Sequence, residues 1–440
     1  MSKTKISFKS INKIAIPAII AGIAEPLLSL TDTAIVGNVR VNSVEALAAV
    51  GIAGSFISAL FWILAQSSSA ISAIVSQYLG AKKLNEIISL PAQIILINII
   101  LSVFIYLITI SFIEVVFGWY NAKGILLSYT ISYYKIRAIG LPFTLFTFSV
   151  FGVFRGLQNT YYPMIISIVG AVLNVILDII LVYGITNIVP AMHIEGAAIA
   201  SVIAQMIMAL IALYVFTKKT PFSLRISSSF NKEIKRLVML SLNLFLRALA
   251  LNFALYLSNS YAARYGDSYI AAQTIAFQIW LFFAFFIDGY SSVGSIVFGK
   301  LLGEKDYKQM FVLSKDLVKY TISIAFILGV VCFLFYDAIG KVFTDDKEVQ
   351  DIFASIFWIV ILMQPINAVA FIYDGIFKGL ARAATLRNTL LIATFIGFVP
   401  TLLIADHFNM KMHAIWMAFT VWMLFRAGIL KMIFTKMKKE

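Results

Sequence analysis

This chain of 440 residues predicts an all-α polytopic membrane protein: twelve transmembrane helices in two pseudo-twofold-related six-helix lobes. Three observations carry the prediction. Hydrophobic residues make up 61% of the chain and charged residues only 13%, against about 25% charged in a soluble domain. Twelve apolar runs of membrane-spanning length follow one another with short loops between them. The two halves of the chain also repeat one another at a constant offset of 223 residues.

The runs lie at about 14–39, 47–76, 91–117, 126–153, 161–184, 194–217, 234–262, 269–298, 314–336, 349–376, 384–404 and 411–434. Twelve spans of about 20 residues use about 240 residues, which leaves no room for a soluble domain. Spans of this kind must be helical, because an isolated strand leaves backbone groups unpaired in lipid. The net charge of +14 suggests nucleic acid at first sight, yet the basic residues gather in the loops of one side. About 23 lie at the N-terminus, the even-to-odd loops and the C-terminus, against six on the other side: Arg40, Lys123, Arg264, Lys341, Lys347 and Lys411. By the positive-inside rule both termini face the cytoplasm. The basic N-terminus leads into a long apolar run without a small-residue cleavage site, so it reads as a first span and not as a signal peptide. Cys332 is the sole cysteine, which excludes an internal disulfide. There is no phosphate loop, nucleophile elbow or cofactor fingerprint, and His193, His407 and His413 have no metal-ligand spacing. The chain is therefore expected to be no enzyme and to need no cofactor.

The first span carries Glu25-Pro26 and Asp32. A charged acid near a bilayer centre costs about 2.5–3.5 kcal/mol even on the lenient insertion scale, and such residues are functional by default. Glu25 and Asp32 are seven residues apart and share a helix face. Pro26 has no N–H for the carbonyl of Gly22, which predicts a hinge. On the fifth span Asn174 and Asp178 stand at i, i+4 and suit a hard cation or a protonatable carboxyl, or else join two helices. Ser201 follows the small-residue run Gly196-Ala197-Ala198-Ile199-Ala200 on the sixth span and can add a hydroxyl or simply pack.

The loop Lys218 to Lys232 sits near mid-chain, so the lobes are expected at 1–217 and 233–440 with 218–232 as a cytoplasmic linker. Leu79-Gly80-Ala81-Lys82 answers Leu302-Gly303-Glu304-Lys305, Pro142 answers Pro365, and Gly152, Arg155, Gly156 and Leu157 answer Gly375, Lys378, Gly379 and Leu380. Six spans per half give both halves one orientation, and in transporters the substrate path lies between such halves. The polar residues of the second half sit elsewhere: Arg247, Asp288, Asn367 and Asp374 are the substrate-cavity candidates. An Arg247–carboxylate pair is expected there, as a lock or as a substrate contact. Lys378 and Arg155 close their spans and read as snorkelling anchors.

The residues Glu25-Pro-Leu-Leu-x-Leu-x-Asp32-Thr-Ala-x-Val-Gly37, Gln77-x-x-Gly80-Ala-Lys, Asn174-x-x-x-Asp178 and Gly196-Ala-Ala-x-Ala-Ser201 together resemble the multidrug and toxic compound extrusion (MATE) transporters. Phe245-Leu246-Arg247 and Gln364-Pro-Ile-Asn367-Ala-x-Ala-Phe-x-x-Asp374-Gly375 look like the DinF-like branch. The resemblance covers the whole chain. It implies a central V-shaped cavity and cation-driven efflux by rocking between outward- and inward-open states. Asp32, Asn174 and Asp178 match the family's N-lobe site for a proton or sodium, and Ser201 stands where members often carry threonine. In the second half Asn367 occupies the place of an aspartate, and Arg247 lies near that of a glutamate, that another branch uses for sodium. The function implied is antiport of amphiphilic, often cationic, small molecules against H+ or Na+, by a monomer in the bacterial inner (plasma) membrane, with the lipid bilayer and small-molecule substrates as its partners and no nucleic acid. A lipid-linked-oligosaccharide flippase, an organic-anion exporter and a membrane-embedded transferase are the alternatives; few mid-span basic residues (Arg137, Arg247, Arg426) weigh against the flippase, and the lack of a nucleophile–base set against the transferase.

Overall fold

The computed structural model describes residues 6–437 apart from 38–42, 121, 186, 226–228 and 345, and leaves out the side chains of 24–30, 33, 43, 44, 62, 63, 337 and 342. Among the described residues ten helices are long and apolar enough to cross a membrane, and a bent pair makes an eleventh. The 30-residue helix Phe8–Gly37 precedes them and at 1.5 Å per residue is about 45 Å long. It supplies the first of twelve spans. The others are Glu45–Gly80, Leu84–Trp119, Gly124–Gly156, Tyr161–Tyr183, His193–Lys219, Ile234–Tyr265, Asp267–Gly303, Tyr307–Leu334, the pair Lys347–Leu362 and Gln364–Gly379, Ala383–His407 and Met412–Lys436. Most run a few residues beyond their apolar stretch at one end or both, because the helix continues into the polar ends that hydropathy discounts; Tyr161–Tyr183 does not.

Proline places two of the irregularities. In the fourth span the helix tightens to 3-10 geometry at Ala138–Gly140, just before Pro142. In the tenth the two pieces meet at Met363, before Pro365, at an angle of 50°. A proline withdraws the N–H due to the carbonyl four residues back and crowds that carbonyl, so the turn before it must yield. The eleventh span widens to a π-helix over Ala393–Phe398, directly ahead of Pro400.

The 223-residue repeat is visible in backbone detail. Lys82 and Lys305 both take positive φ (58° and 57°), and so do Gln158 and Ala381 (67° and 56°). Behind them the closing bonds match: Asn159 N–H donates to the Phe154 carbonyl at 2.9 Å, and Arg382 N–H to the Phe377 carbonyl at 3.0 Å. Side-chain-free contacts repeat as well. A Cβ on Gly152 would run into the Ser68 carbonyl, and one on Gly375 into the Ser291 carbonyl, so at both places only glycine lets the helices meet. Gly80 likewise abuts the Lys300 carbonyl while Gly303 abuts that of Gln77, a reciprocal contact between residues related by the same offset.

The chain divides into two compact units. One comprises Met1–Ile19, Ser76–Lys82 and Met239–Glu440; the other comprises Ile20–Val75 and Lys83–Val238. The former is built on an aromatic core that includes Trp280, Phe283, Phe353, Phe398, Trp416, Phe419 and Trp422. The start of the first span joins it through Tyr290, whose hydroxyl donates to Asn12 Oδ1 at 2.8 Å, and the end of the second through Gln77 Nε2, which donates to the Gly379 carbonyl at 2.9 Å. The latter unit has a core with Val36, Phe61, Phe117, Tyr133, Tyr134 and Leu141. Its closing loop is held by Gln93, which donates to the Ser229 carbonyl at 2.7 Å and accepts from Asn231 N–H at 2.9 Å.

Candidate functional site

Asp32, Asn174, Asp178 and Ser201 come together inside the unit Ile20–Val75 plus Lys83–Val238, each no more than 4% exposed. Small residues make this possible. Gly196 sits on the Leu181 carbonyl, and Ala197, Ala198 and Ala200 are fully buried, so the fifth and sixth spans approach closely enough to present Asn174, Asp178 and Ser201 side by side. Ser201 Oγ donates to Asp32 Oδ2 at 3.1 Å, and Asn174 Nδ2 donates to Asp178 Oδ2 at 2.8 Å. The two carboxyl groups lie within hydrogen-bonding reach of each other. The second oxygens of both acids, Asp32 Oδ1 and Asp178 Oδ1, are buried without a protein hydrogen-bond partner among the described residues. A pair of carboxyls so placed is stabilised by whatever positive charge it can share, a proton or a small hard cation.

Three neighbours in this site are not evident from the sequence. Arg137, at the break of the fourth span, brings a positive charge near Asp178 and stacks over the Phe61 ring at 5.7 Å. Tyr133, one turn before it, is buried near Asp32 and Asp178. Gln205, one turn beyond Ser201, lines with Arg137, Asn174 and Ser201 a small cavity large enough for water. No spacing rule assigns them to this site: the sequence marks Arg137 as a mid-span basic residue but not which acids it meets, and nothing local marks Tyr133 or Gln205. Arg137 Nη1 and Gln205 Oε1 also lack a protein hydrogen-bond partner among the described residues. The helix Phe8–Gly37 passes through Glu25 and Pro26, but the side chains of both lie outside the described residues. Among the described residues no group of three or more His, Cys, Asp or Glu could hold a metal ion. Sodium here would rest on two acids, an amide and a hydroxyl.

The second-half candidates divide. Arg247 Nη2 donates to Asp374 Oδ2 at 2.5 Å, the expected arginine–carboxylate pair. Lys378 does not snorkel. One turn from Asp374, its Nζ is 3.5 Å from the same oxygen, because a buried carboxylate is the stronger attractor. Arg426 from the last span adds a third cation, its Nη2 3.8 Å from Asp374 Oδ1. Asn367, two turns before Asp374, is buried and donates to Gln364 Oε1 at 2.9 Å. Asp288 is exposed on the eighth span and stands apart from this cluster.

The MatE family model matches residues 17–180 and again 244–403, one stretch in each half of the chain. The chain belongs to the MatE family. Members are transporters and not enzymes, and the resemblance read from the motifs is thereby shown. This MatE protein is 27% identical over 428 residues to the DNA damage-inducible protein F of Escherichia coli (strain K12), covering 96% of this chain and 90% of that one. It is 23% identical over 326 residues to the multidrug export protein MepA of Staphylococcus aureus (strain MSSA476), covering 72% of this chain and 70% of MepA. Among solved structures it superposes on a MATE in the straight conformation with a TM-score of 0.89 at 20% identity, covering 98% of this chain and 97% of that one. A MATE in the bent conformation gives 0.88 at 21%, covering 98% and 96%. These likenesses show the fold: the all-helical, twelve-span architecture expected from the sequence.

Proposed function

We propose that this MatE transporter is a secondary multidrug antiporter, exporting amphiphilic, often cationic, small molecules in exchange for inward H+ or Na+ by alternating access. The observation that carries the reading is the buried pair Asp32–Asp178, with one oxygen of each acid lacking a protein hydrogen-bond partner among the described residues. With Arg137 as the neighbouring cation among the described residues, two ionised acids leave a single negative charge in excess. One monovalent cation or proton then neutralises the site, which is what a coupling site must take up and release. Asn174 and Ser201 orient the two acids by donating to one oxygen of each and leave the other for the ion.

Export follows from the same arithmetic. A cationic substrate is held while the site is ionised and released when a proton or sodium arrives, so the two compete for one charge. Uptake of the ion loosens the first helix from its partners, and Pro26 is the place where that helix bends. That related folds exist in forms described as straight and bent supports such a hinge. We further propose that the six-helix lobes are residues 1–217 and 233–440, joined by a cytoplasmic linker at 218–232, and that the protein works as a monomer in a bacterial plasma membrane with both termini in the cytoplasm. The identity of one relative as a multidrug export protein supports the substrate class.

Reconstitution tests the reading. Purified protein in liposomes should drive uptake of ethidium or tetraphenylphosphonium when a pH or sodium gradient is imposed separately, and Asp32→Asn should not. Transport by Asp32→Asn with the pH dependence of wild type would sink it.

A further inference from the structure

Arg137 stands beside two buried acids and bonds to neither. Its charge is felt at Asp178. Yet among the described residues one oxygen of each acid has no protein hydrogen-bond partner, and the others accept from Ser201 and Asn174. A guanidinium in a low-dielectric interior is drawn strongly to a carboxylate, so something holds this one off. The local sequence shows what. Pro142 tightens the turn Ala138–Gly140 directly after Arg137, and Gly140 leaves that turn bare. A Cβ added to Gly140 would land on Gln205 Oε1 and lie 3.7 Å from Arg137 Nη1. The two atoms are therefore no farther apart than two ordinary hydrogen bonds of about 2.8 Å each. Neither has a protein hydrogen-bond partner among the described residues, nor has the hydroxyl of Thr144, a residue 6% exposed. All three residues line, with Asn174 and Ser201, a cavity of about 30 Å³. It has room for one or two waters, and it offers the two to four polar partners that a buried water needs.

We propose that Gln205 is a positioning residue that sets the ion affinity of the Asp32–Asp178 pair. With Thr144 it holds a cavity water that accepts from Arg137 Nη1 and donates to Gln205 Oε1, so the guanidinium stays near the acids without joining them. The inference rests on the coupling-ion reading of that pair and adds how its affinity is set. A guanidinium bonded to the acids would supply, from inside the protein, the charge that the ion must bring. Held off by the water and by its stacking on Phe61 at 5.7 Å, Arg137 trims the excess to one negative charge and leaves one oxygen of each acid open. Without the acceptor at Gln205, Arg137 turns to Asp178 Oδ1, and the ion has to displace it. The other titratable group facing the pair among the described residues is Tyr133, which lies within reach of Arg137 and of both acids.

Equilibrium binding to the purified full chain in nanodiscs, with no ion gradient, tests the proposal apart from transport. Radiolabelled tetraphenylphosphonium is displaced by sodium at fixed pH, and separately by lowering the pH without sodium. Gln205→Met should raise the half-maximal ion concentration on the order of tenfold, the worth of one charge-assisted hydrogen bond gained by the competitor. Gln205→Glu, which accepts from Arg137 in the same place, should return it to the wild-type value or below. In an Arg137→Gln background Gln205→Met should have no further effect, because the group it positions is gone. A merely structural role would leave that effect undiminished. If Gln205→Met does not fold, Thr144→Val, with the shape kept and the hydroxyl lost, carries the same comparison. Wild-type protein from which neither ion displaces tetraphenylphosphonium would sink the coupling-ion reading, and the positioning role with it. Displacement in wild type with an unshifted midpoint in Gln205→Met, or a shift that persists without Arg137, would overturn the positioning role alone.

Discussion

Asp178 is fully buried, and it accepts from Asn174 through one oxygen while the other has no protein hydrogen-bond partner among the described residues. Asparagine in its place keeps the shape and can still accept that hydrogen bond through its amide oxygen, but it cannot carry the charge. Asp178→Asn should therefore fold with a melting temperature within about 4 °C of wild type and lose gradient-driven export; transport at the wild-type rate would reduce the Asn174–Asp178 pair to helix glue. Arg137 makes a complementary test. Removing it leaves two facing acids without that cation, so Arg137→Gln should reach half-maximal transport at a lower proton or sodium concentration than wild type, read from the ion dependence of liposome uptake. Asp32, Asn174 and Asp178 are legible because acids and amides inside apolar runs are costly and their helical spacing is countable. Arg137, Tyr133 and Gln205 are not, since their partners lie on other spans. Lys378 misleads for a related reason: hydropathy puts a lysine at a span end in contact with the interface, and nothing local reveals that Asp374, with Arg247 and Arg426 opposite, draws it inward.

At the scale of elements, the letters of the repeat are readable but the contacts behind them are not. Gly152 and Gly375 align by offset, yet only the fold shows that each faces a serine carbonyl, of Ser68 and Ser291, on another span. An added methyl there meets backbone, which cannot swing aside. Gly152→Ala and Gly375→Ala should each destabilise by about 1–3 kcal/mol, the range for overpacking. Gly51, on the second span, is the control, because a Cβ added there would have nothing within 4 Å of it. Gly51→Ala should be neutral or stabilise by up to about 1 kcal/mol through helix propensity. Thermal unfolding of the detergent-purified variants separates the two outcomes, and equal melting temperatures for all three would discard the close-packing account. Proline is a partial guide. Pro142 and Pro365 mark the breaks in the fourth and tenth spans, but whether the helix tightens, as at Ala138–Gly140, or bends by 50°, as at Met363, depends on what packs around it.

For the whole molecule, span number and span ends are legible because lipid imposes one rule on every residue of a span, whereas the grouping of segments is not. The opening segment Met1–Ile19 and the short stretch Ser76–Lys82 belong to the unit that holds Met239–Glu440, and long-range contacts of this kind leave no periodic trace. Orientation rests on the charge asymmetry of about 23 basic residues against six, and it has a direct test at two exposed positions. In a Cys332→Ala background, a cysteine at Lys123 follows the third span and one at Lys218 ends the sixth. With both termini in the cytoplasm, an impermeant thiol reagent added to intact cells should label Lys123→Cys and leave Lys218→Cys untouched until the membrane is opened. An even span count puts the two termini on the same side whichever way the protein inserts, so the label distribution reports the direction alone. Labelling of Lys218→Cys but not of Lys123→Cys would invert the topology and with it the direction of export, since the basic loops would then face outward. Three spans separate the two sites in the twelve-span arrangement, and an odd number puts them on opposite sides. Labelling of both in intact cells would require an even number between them, and would break the twelve-span count itself.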